Sequence, residues 1–190
     1  MIGAITAGLY GTGVPPVTNS YESIATVTVG SGGSSSVEFT SIPQTYKHLQ
    51  IRIMARTNRS VAADNVSLTF NGDALGGTNY AYHFLSGDGA SVSAGGGSSF
   101  ERILAANVAG ATSTANVFGV GVLDILDYTN TNKNTTTRSL TGYDANGSGN
   151  SRLYSGLYLS TTAITSIKLW AEASSLHTQY SSFALYGIKG

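Results

Sequence analysis

The sequence has 190 residues, no cysteine, and ten Lys and Arg residues that balance ten Asp and Glu residues. This length suits one domain with its own core, and the lack of cysteine excludes a disulfide framework, a thiolate metal site and a cysteine nucleophile. A net charge of zero argues against electrostatic nucleic-acid binding, and it removes the repulsion that keeps copies of a protein apart. We expect no membrane span and no secretory signal, because no apolar run is long enough and the first residues carry no basic segment.

Residues 1–20 differ from the rest of the chain. They contain Pro15 and Pro16, which favour an extended backbone, and they show no period of two or of 3.6 residues. Their apolar side chains are too many for an idle tail: Ile2, Ile5, Leu9, Tyr10 and Val14. We therefore predict an extended N-terminal arm that anchors the protein to a neighbouring molecule. A frayed terminus is the alternative.

From Tyr21 onward the apolar residues alternate with polar ones. The clearest strand covers residues 47–56, where Leu49, Ile51 and Ile53 share one face. About nine to eleven short strands are separated by turns rich in Gly, Asn and Asp. This spacing predicts an all-β domain over residues 21–190, an antiparallel, jelly-roll-like β-sandwich. Residues 86–99 are expected to form a long flexible loop, and residues 100–108 fit either a strand or a helical turn.

Residues 117–128 are the most apolar segment and alternate between two apolar faces. A strand of this kind is covered on both sides, either at the centre of the fold or at a subunit contact. Exposed tyrosines also anchor interfaces or stack on sugar rings, although the more common setting for a tyrosine in such a fold is the core or rim of the sandwich. We predict a subunit interface that contains Val117, Phe118, Val120, Val122, Tyr154 and Tyr158.

No pattern in the chain indicates catalysis. The three histidines are far apart, and Asp124 and Asp127 lie on opposite faces of their strand, which does not suit a pair of hydrolytic carboxylates. Asp127, Asn130 and Asn132 offer oxygens to a calcium ion, but the glycine and the terminal glutamate of an EF-hand loop are missing, so a turn held by side-chain hydrogen bonds is the better explanation. We predict no enzymatic activity, no cofactor and no metal. A polysaccharide hydrolase is the remaining enzymatic alternative.

Five short motifs follow one another along residues 21–188. They are SIPQTY at 41–46, FNGD at 70–73, ILDY at 125–128, STTAITSI at 160–167 and SFALYGI at 182–188. Their order resembles that in a family of small virion proteins from tailed bacteriophages. That family begins with a strand, a Gly/Ser turn, a short strand with a Ser-Ile-Pro motif and a Tyr-led strand, as residues 21–51 do here. Residues 1–20 and 74–77 depart from the family pattern, so the point of attachment is open.

The resemblance implies a role in assembly and adhesion, and it carries over no catalytic residue. We expect a structural protein on the exterior of the virion, made in the host cytoplasm, that decorates or cements the capsid. The expected partners are copies of itself, with a trimer favoured, and the major capsid protein or another virion protein. No nucleic acid is expected as a partner. The alternative is a tail-fibre or receptor-binding tip that contacts host surface glycan.

Overall fold

The computed structural model describes residues 20–190, and this part of the chain forms twelve strands and no helix. The predicted arm, with Ile2, Ile5, Leu9, Tyr10 and Val14, lies outside the described residues. The strands are β1 (Tyr21–Thr28), β2 (Ser36–Phe39), β3 (His48–Ala55), β4 (Ala63–Phe70), β5 (Tyr80–Gly87), β6 (Val92–Phe100), β7 (Ile103–Ala109), β8 (Gly119–Leu126), β9 (Thr135–Asp144), β10 (Gly149–Tyr158), β11 (Ile167–Ala171) and β12 (Ser182–Ile188).

The strands form two antiparallel sheets, which confirms the predicted all-β sandwich. The eight-stranded sheet has the order β1-β12-β3-β8-β9-β10-β5-β6, and the four-stranded sheet has the order β2-β11-β4-β7. Strands β1 to β4 alternate between the sheets along the chain. The hairpins β5–β6 and β9–β10 do not follow this alternation, and both extend the larger sheet beyond β8. Half of that sheet is therefore made of these two hairpins.

The core lies between the two sheets and follows from the period-two patterns. Leu49, Ile51 and Ile53 of β3 point inward, as predicted, because a strand places alternate side chains on one face. The facing sheet contributes Val66, Leu68, Phe70, Ile167 and Leu169. Burial of these aliphatic and aromatic side chains is the main favourable term in folding.

At β7 the two sheets approach so closely that glycine is required in the larger sheet. A Cβ atom on Gly119 would lie 2.5 Å from the Cα of Val108, and one on Gly156 would lie 2.5 Å from the Cγ2 of Ile103. Gly121 faces Ala106, with a 3.3 Å distance between its hypothetical Cβ and the Ala106 Cβ. A larger side chain at Gly119 or Gly121 would therefore push β7 away.

Strand β9 turns hydroxyl groups toward this narrow gap. The Ser139 Oγ donates to the Ala105 carbonyl over 2.6 Å, and the Thr141 Oγ1 accepts from the Asn107 amide over 3.1 Å. Thr135 and Thr137 are buried on the same face. Buried hydroxyls are costly unless they are bonded, and the β7 backbone supplies partners for Ser139 and Thr141.

Two local predictions need correction or completion. Residues 92–100 are not part of a flexible loop but form β6, with Gly95, Gly96 and Gly97 paired to β5. The turn is confined to residues 88–91, where the Asp88 carboxylate accepts hydrogen bonds from the Ala90 and Ser91 amides. Residues 103–109 form a strand rather than a helical turn.

Within residues 20–190 there is no long apolar helix of the kind that crosses a membrane.

The close approach at β7 predicts the effect of adding one methyl group. Gly119→Ala should lower the free energy of unfolding by about 2–3 kcal/mol, because the added carbon overlaps the β7 backbone. Gly30→Ala is the matched control, since a Cβ there meets nothing within 4 Å. Urea unfolding of both variants is the measurement. Equal midpoints for the two variants would contradict the tight packing.

His177 makes the fold sensitive to acid. Its ring is fully buried, with its centroid 4.9 Å from that of Phe183, and burial lowers the pKa of the imidazole from 6.5 to about 4. Between these values the unfolded chain binds a proton that the folded chain does not. Stability should therefore fall as the pH drops from about 6.5 toward 4 and then level off, with a total change of roughly 3 kcal/mol.

Urea midpoints of the wild-type protein and His177→Gln, measured at several pH values between 4 and 7, test this prediction. The variant lacks the titrating ring, so its midpoint should depend on pH less steeply in this range. Parallel curves for the two proteins would show that another group is responsible.

Candidate interaction surface

An apolar row of four side chains crosses the outer face of the eight-stranded sheet. Val122 of β8 pairs with Leu140 of β9, Leu140 with Leu153 of β10, and Leu153 with Leu85 of β5. Their exposed fractions are 41%, 64%, 44% and 56%, respectively. Directly paired residues on adjacent strands lie about 5 Å apart, so these side chains form one continuous strip. Met54 and Val120, a cross-strand pair, are also exposed beside this row.

Strand β9 departs from the pattern of an ordinary half-buried strand. Its inward positions carry hydroxyls, and Leu140 faces outward on the same side as Thr136 and Arg138. A strand with one solvated face normally places apolar residues inward and polar residues outward. The inward hydroxyls have a structural reason, namely the β7 backbone, whereas within the described chain nothing covers Leu140.

Polar residues border the apolar row on one side. Asp124 of β8 pairs with Arg138 of β9, and Arg138 pairs with Ser155 of β10. The Gln50 Nε2 donates to the Asp124 Oδ1 over 2.9 Å. Arg52 of β3, opposite Val122, ends the row on the β3 side, and its guanidinium lies 5.3 Å from the centre of the Tyr186 ring. The outer face thus combines an apolar centre with charged neighbours of both signs.

A groove of about 1110 Å³ opens on the same face, at the end of the sheet where β8 begins. Its floor contains Phe118, Val120, Val122 and Leu140, and its walls are residues 87–89, 143–144 and 147–151. The walls include polar and aromatic side chains, among them Asp88, Tyr143, Asp144 and Asn150. The groove therefore shares Val122 and Leu140 with the apolar row, but Leu153 and Leu85 lie outside it.

Four of the predicted interface residues occur together at this surface. Val120 and Val122 project outward from β8, while Val117 and Phe118 are half-buried in the segment that leads into it. The Arg56 guanidinium holds this segment by donating to the carbonyls of Thr114 and Val117, over 2.8 and 2.9 Å. Strand β8 is central in its sheet, which is one of the two positions predicted for residues 117–128. Within the described chain only its inner face is buried.

The prediction that Tyr154 and Tyr158 form a subunit interface is wrong. Both side chains are buried inside the sandwich, because the period of β10 turns the even-numbered residues inward. The Tyr154 hydroxyl lies 3.3 Å from the Asn65 Oδ1 of the facing sheet. The Tyr158 ring stacks on Tyr80, with 5.0 Å between ring centroids. Desolvation raises the pKa of both phenols, so they remain neutral core residues.

Sequence reasoning missed Leu140, Leu153 and Leu85 as surface residues. Each lies in a strand whose opposite face is occupied by hydroxyls, tyrosines or small residues, so neither face stands out as the buried one. The available signal was that Ser139 and Thr141 flank Leu140 in the sequence. In a strand this alternation places the leucine on one face and the hydroxyls on the other. Which face points inward depends on β7, a contact distant in sequence.

The carboxylate considered for calcium already has partners. Lys133 and Lys47 lie against Asp127, and these ammonium groups hold the pKa of its carboxyl at about 2. The Asn130 side chain accepts a hydrogen bond from the Asn132 amide, which supports the turn interpretation. Within residues 20–190 no three His, Asp or Glu residues cluster as metal ligands.

Comparisons with known proteins assign no family to this chain: no protein-family model matches it, and no curated protein shows significant similarity to it.

Proposed function

We propose that the protein is a non-enzymatic structural component of a bacteriophage virion. In this proposal it decorates or cements the outside of the capsid, with residues 1–20 as the anchoring arm and the β-sandwich as an oligomeric body. The motif order over residues 21–188 supports the virion assignment by resemblance. The observation that carries the assembly role is the exposed apolar surface in the middle of a sheet, around Val120 and Val122.

The physical argument is that such a surface is unfavourable in a free protein. Contiguous exposed apolar patches mark interaction sites, whereas isolated apolar residues are ordinary. A virion component meets its partners at high copy number, so modest contacts at the sandwich and at the arm reinforce each other. The neutral net charge also suits close packing of many copies.

We also assign the architecture as a jelly roll with two added hairpins. Without the hairpins, the sheets have the orders β1-β12-β3-β8 and β2-β11-β4-β7. These are the neighbours expected when eight strands form two interlocked Greek keys. The added hairpins β5–β6 and β9–β10 then carry three of the four residues of the apolar row.

Removal of the arm tests the anchoring role. Deleting residues 2–19 spares Ser20, whose carbonyl accepts a hydrogen bond from the Lys189 amide. The truncated protein should keep its cooperative unfolding but bind at least about tenfold more weakly to capsids prepared without this protein, because the second attachment is lost. Co-sedimentation with such capsids is the measurement. Undiminished binding would remove the arm from the proposal.

The groove favours a second candidate function, a tail-fibre or receptor-binding tip that contacts glycan. Its walls are formed by residues 87–89 together with residues 143–144 and 147–151. Aromatic rings that stack on sugars, beside carboxylates and amides that accept and donate hydrogen bonds, are a suitable lining for a saccharide. Tyr143, Asp144 and Asn150 supply these groups.

Glycan binding can be tested without disturbing the apolar row. If the groove holds sugar, Tyr143→Ala should abolish glycan-array signals of the wild-type protein, since the half-buried ring is lost from the groove wall. Tyr21→Ala, which alters an exposed tyrosine on β1 at the far edge of the sheet, is the control. An absence of wild-type signal, or equal signals for both variants, would reject this second function.

A further inference from the structure

We propose that the apolar row Val122–Leu140–Leu153–Leu85 is a self-association surface, covered by a second copy of this chain that packs on the outer face of the eight-stranded sheet. The inference rests on the proposed oligomeric role and deepens it. It places the contact on four neighbouring strands, β8, β9, β10 and β5, rather than on β8 alone.

The first step is the size and shape of the surface. The four residues of the row and the neighbouring pair Met54 and Val120 are each about half exposed. Together they present on the order of 400–500 Å² of apolar surface, near the upper limit for a monomer and about half of the ~800 Å² that each partner buries in a standard interface. The row spans four strands, about 15 Å, on a regular sheet face. A second β-sheet is a suitable partner, since sheets pack face to face through interdigitating apolar side chains.

The second step is the outward position of Leu140 on β9. The Ser139 and Thr141 hydroxyls on either side of it face the core and bond to β7, and Leu140 is the most exposed member of the row. In a strand with one solvated face, a leucine on that face contributes no burial of apolar surface. In a strand that is covered on both sides the same leucine is buried, and leucine is the expected residue there.

The third step identifies a copy of the same chain as the partner. A self-contact repeats the same patch on both subunits, so the patch must be complementary to itself. A border of a single charge sign would repel its copy. This border carries Arg52 and Arg138 together with Asp124, and the whole chain has equal numbers of acidic and basic residues. An apolar centre with a polar border of both signs is the usual anatomy of an interface.

Charge substitution in the row tests the proposal in solution. The full-length wild-type protein should sediment as an oligomer at about 10 µM. The double variant Leu85→Lys and Leu153→Lys should raise the dissociation constant at least about a hundredfold, because lysine ammonium groups would be buried in the contact. The matched control is Leu75→Lys, in the segment between β4 and β5, since Leu75 has the same 44% exposure as Leu153. Its sedimentation should equal that of the wild type.

Cysteine cross-linking gives a second readout that does not depend on the lysine variants. The chain contains no cysteine, so Leu153→Cys introduces a single thiol. Under oxidation with copper phenanthroline it should form a disulfide-linked dimer much faster than Leu75→Cys at the same concentration. Equal rates for the two variants would overturn the proposal, as would a monomeric wild-type protein or an oligomer that survives both lysine substitutions.

The other occupants of the face give different results. If the arm of a neighbouring chain covers the row, the protein that lacks residues 2–19 becomes monomeric. The Leu153→Cys variant of this truncated protein then no longer cross-links. This result also overturns the proposal. Capsid co-sedimentation is scored separately. Self-association through the row without capsid binding would support this inference and reject the virion role. Capsid binding without self-association through the row would reject this inference alone.

Discussion

The fold depends on the close approach of β7 to strands β8, β9 and β10. At Gly119 and Gly156 a single added carbon atom would lie 2.5 Å from atoms of β7. Two packed sheets ordinarily stand about 10 Å apart because side chains fill the space between them. Here glycine and hydroxyl residues occupy the gap, and the Ser139 and Thr141 hydroxyls bond directly to the β7 backbone. Hydrogen bonds therefore replace part of the usual apolar packing.

This constraint determines what the outer face displays. Beside β7, glycine faces inward at the start of β8 and serine and threonine face inward on β9, and the apolar side chains at the alternate positions, Val122 and Leu140, face outward. Farther along the sheet, Tyr154 and Tyr158 fill the core, and Leu153 takes the outward position. The interior and the candidate interaction surface are thus two consequences of one packing arrangement. A protein with this interior exposes an apolar strip unless another molecule covers it.

Much of the fold was predictable from the sequence, because period two and turn residues are local signals. The alternation of Leu49, Ile51 and Ile53 was sufficient to orient β3. The glycine run at 95–97 misled the prediction, since glycine usually indicates a flexible connection and here lies in a strand. Pairing with β5 stabilises this strand, and the backbone hydrogen bonds of that pairing do not depend on a side-chain pattern that the glycines could show.

The candidate surface was only partly predictable. The two apolar faces of residues 117–128 led to Val120 and Val122, which the structure leaves exposed, while Tyr154 and Tyr158 were assigned to the surface although they belong to the core. A tyrosine is compatible with either environment, so its residue type does not decide the face. Leu140 was missed because its strand is polar on the inside, and that polarity is explained only by a contact with β7, about 34 positions away in the chain.

The central claim is that the outer face of the eight-stranded sheet is covered in the assembled protein. Carbene footprinting with residue-level mass spectrometry measures this most directly, because the reagent modifies accessible side chains of any chemical type. As the protein concentration rises through the association range, labelling of Leu140 and Leu153 should fall several-fold while labelling of Leu75 stays constant. Unchanged labelling of Leu140 and Leu153 in the oligomer would contradict the account.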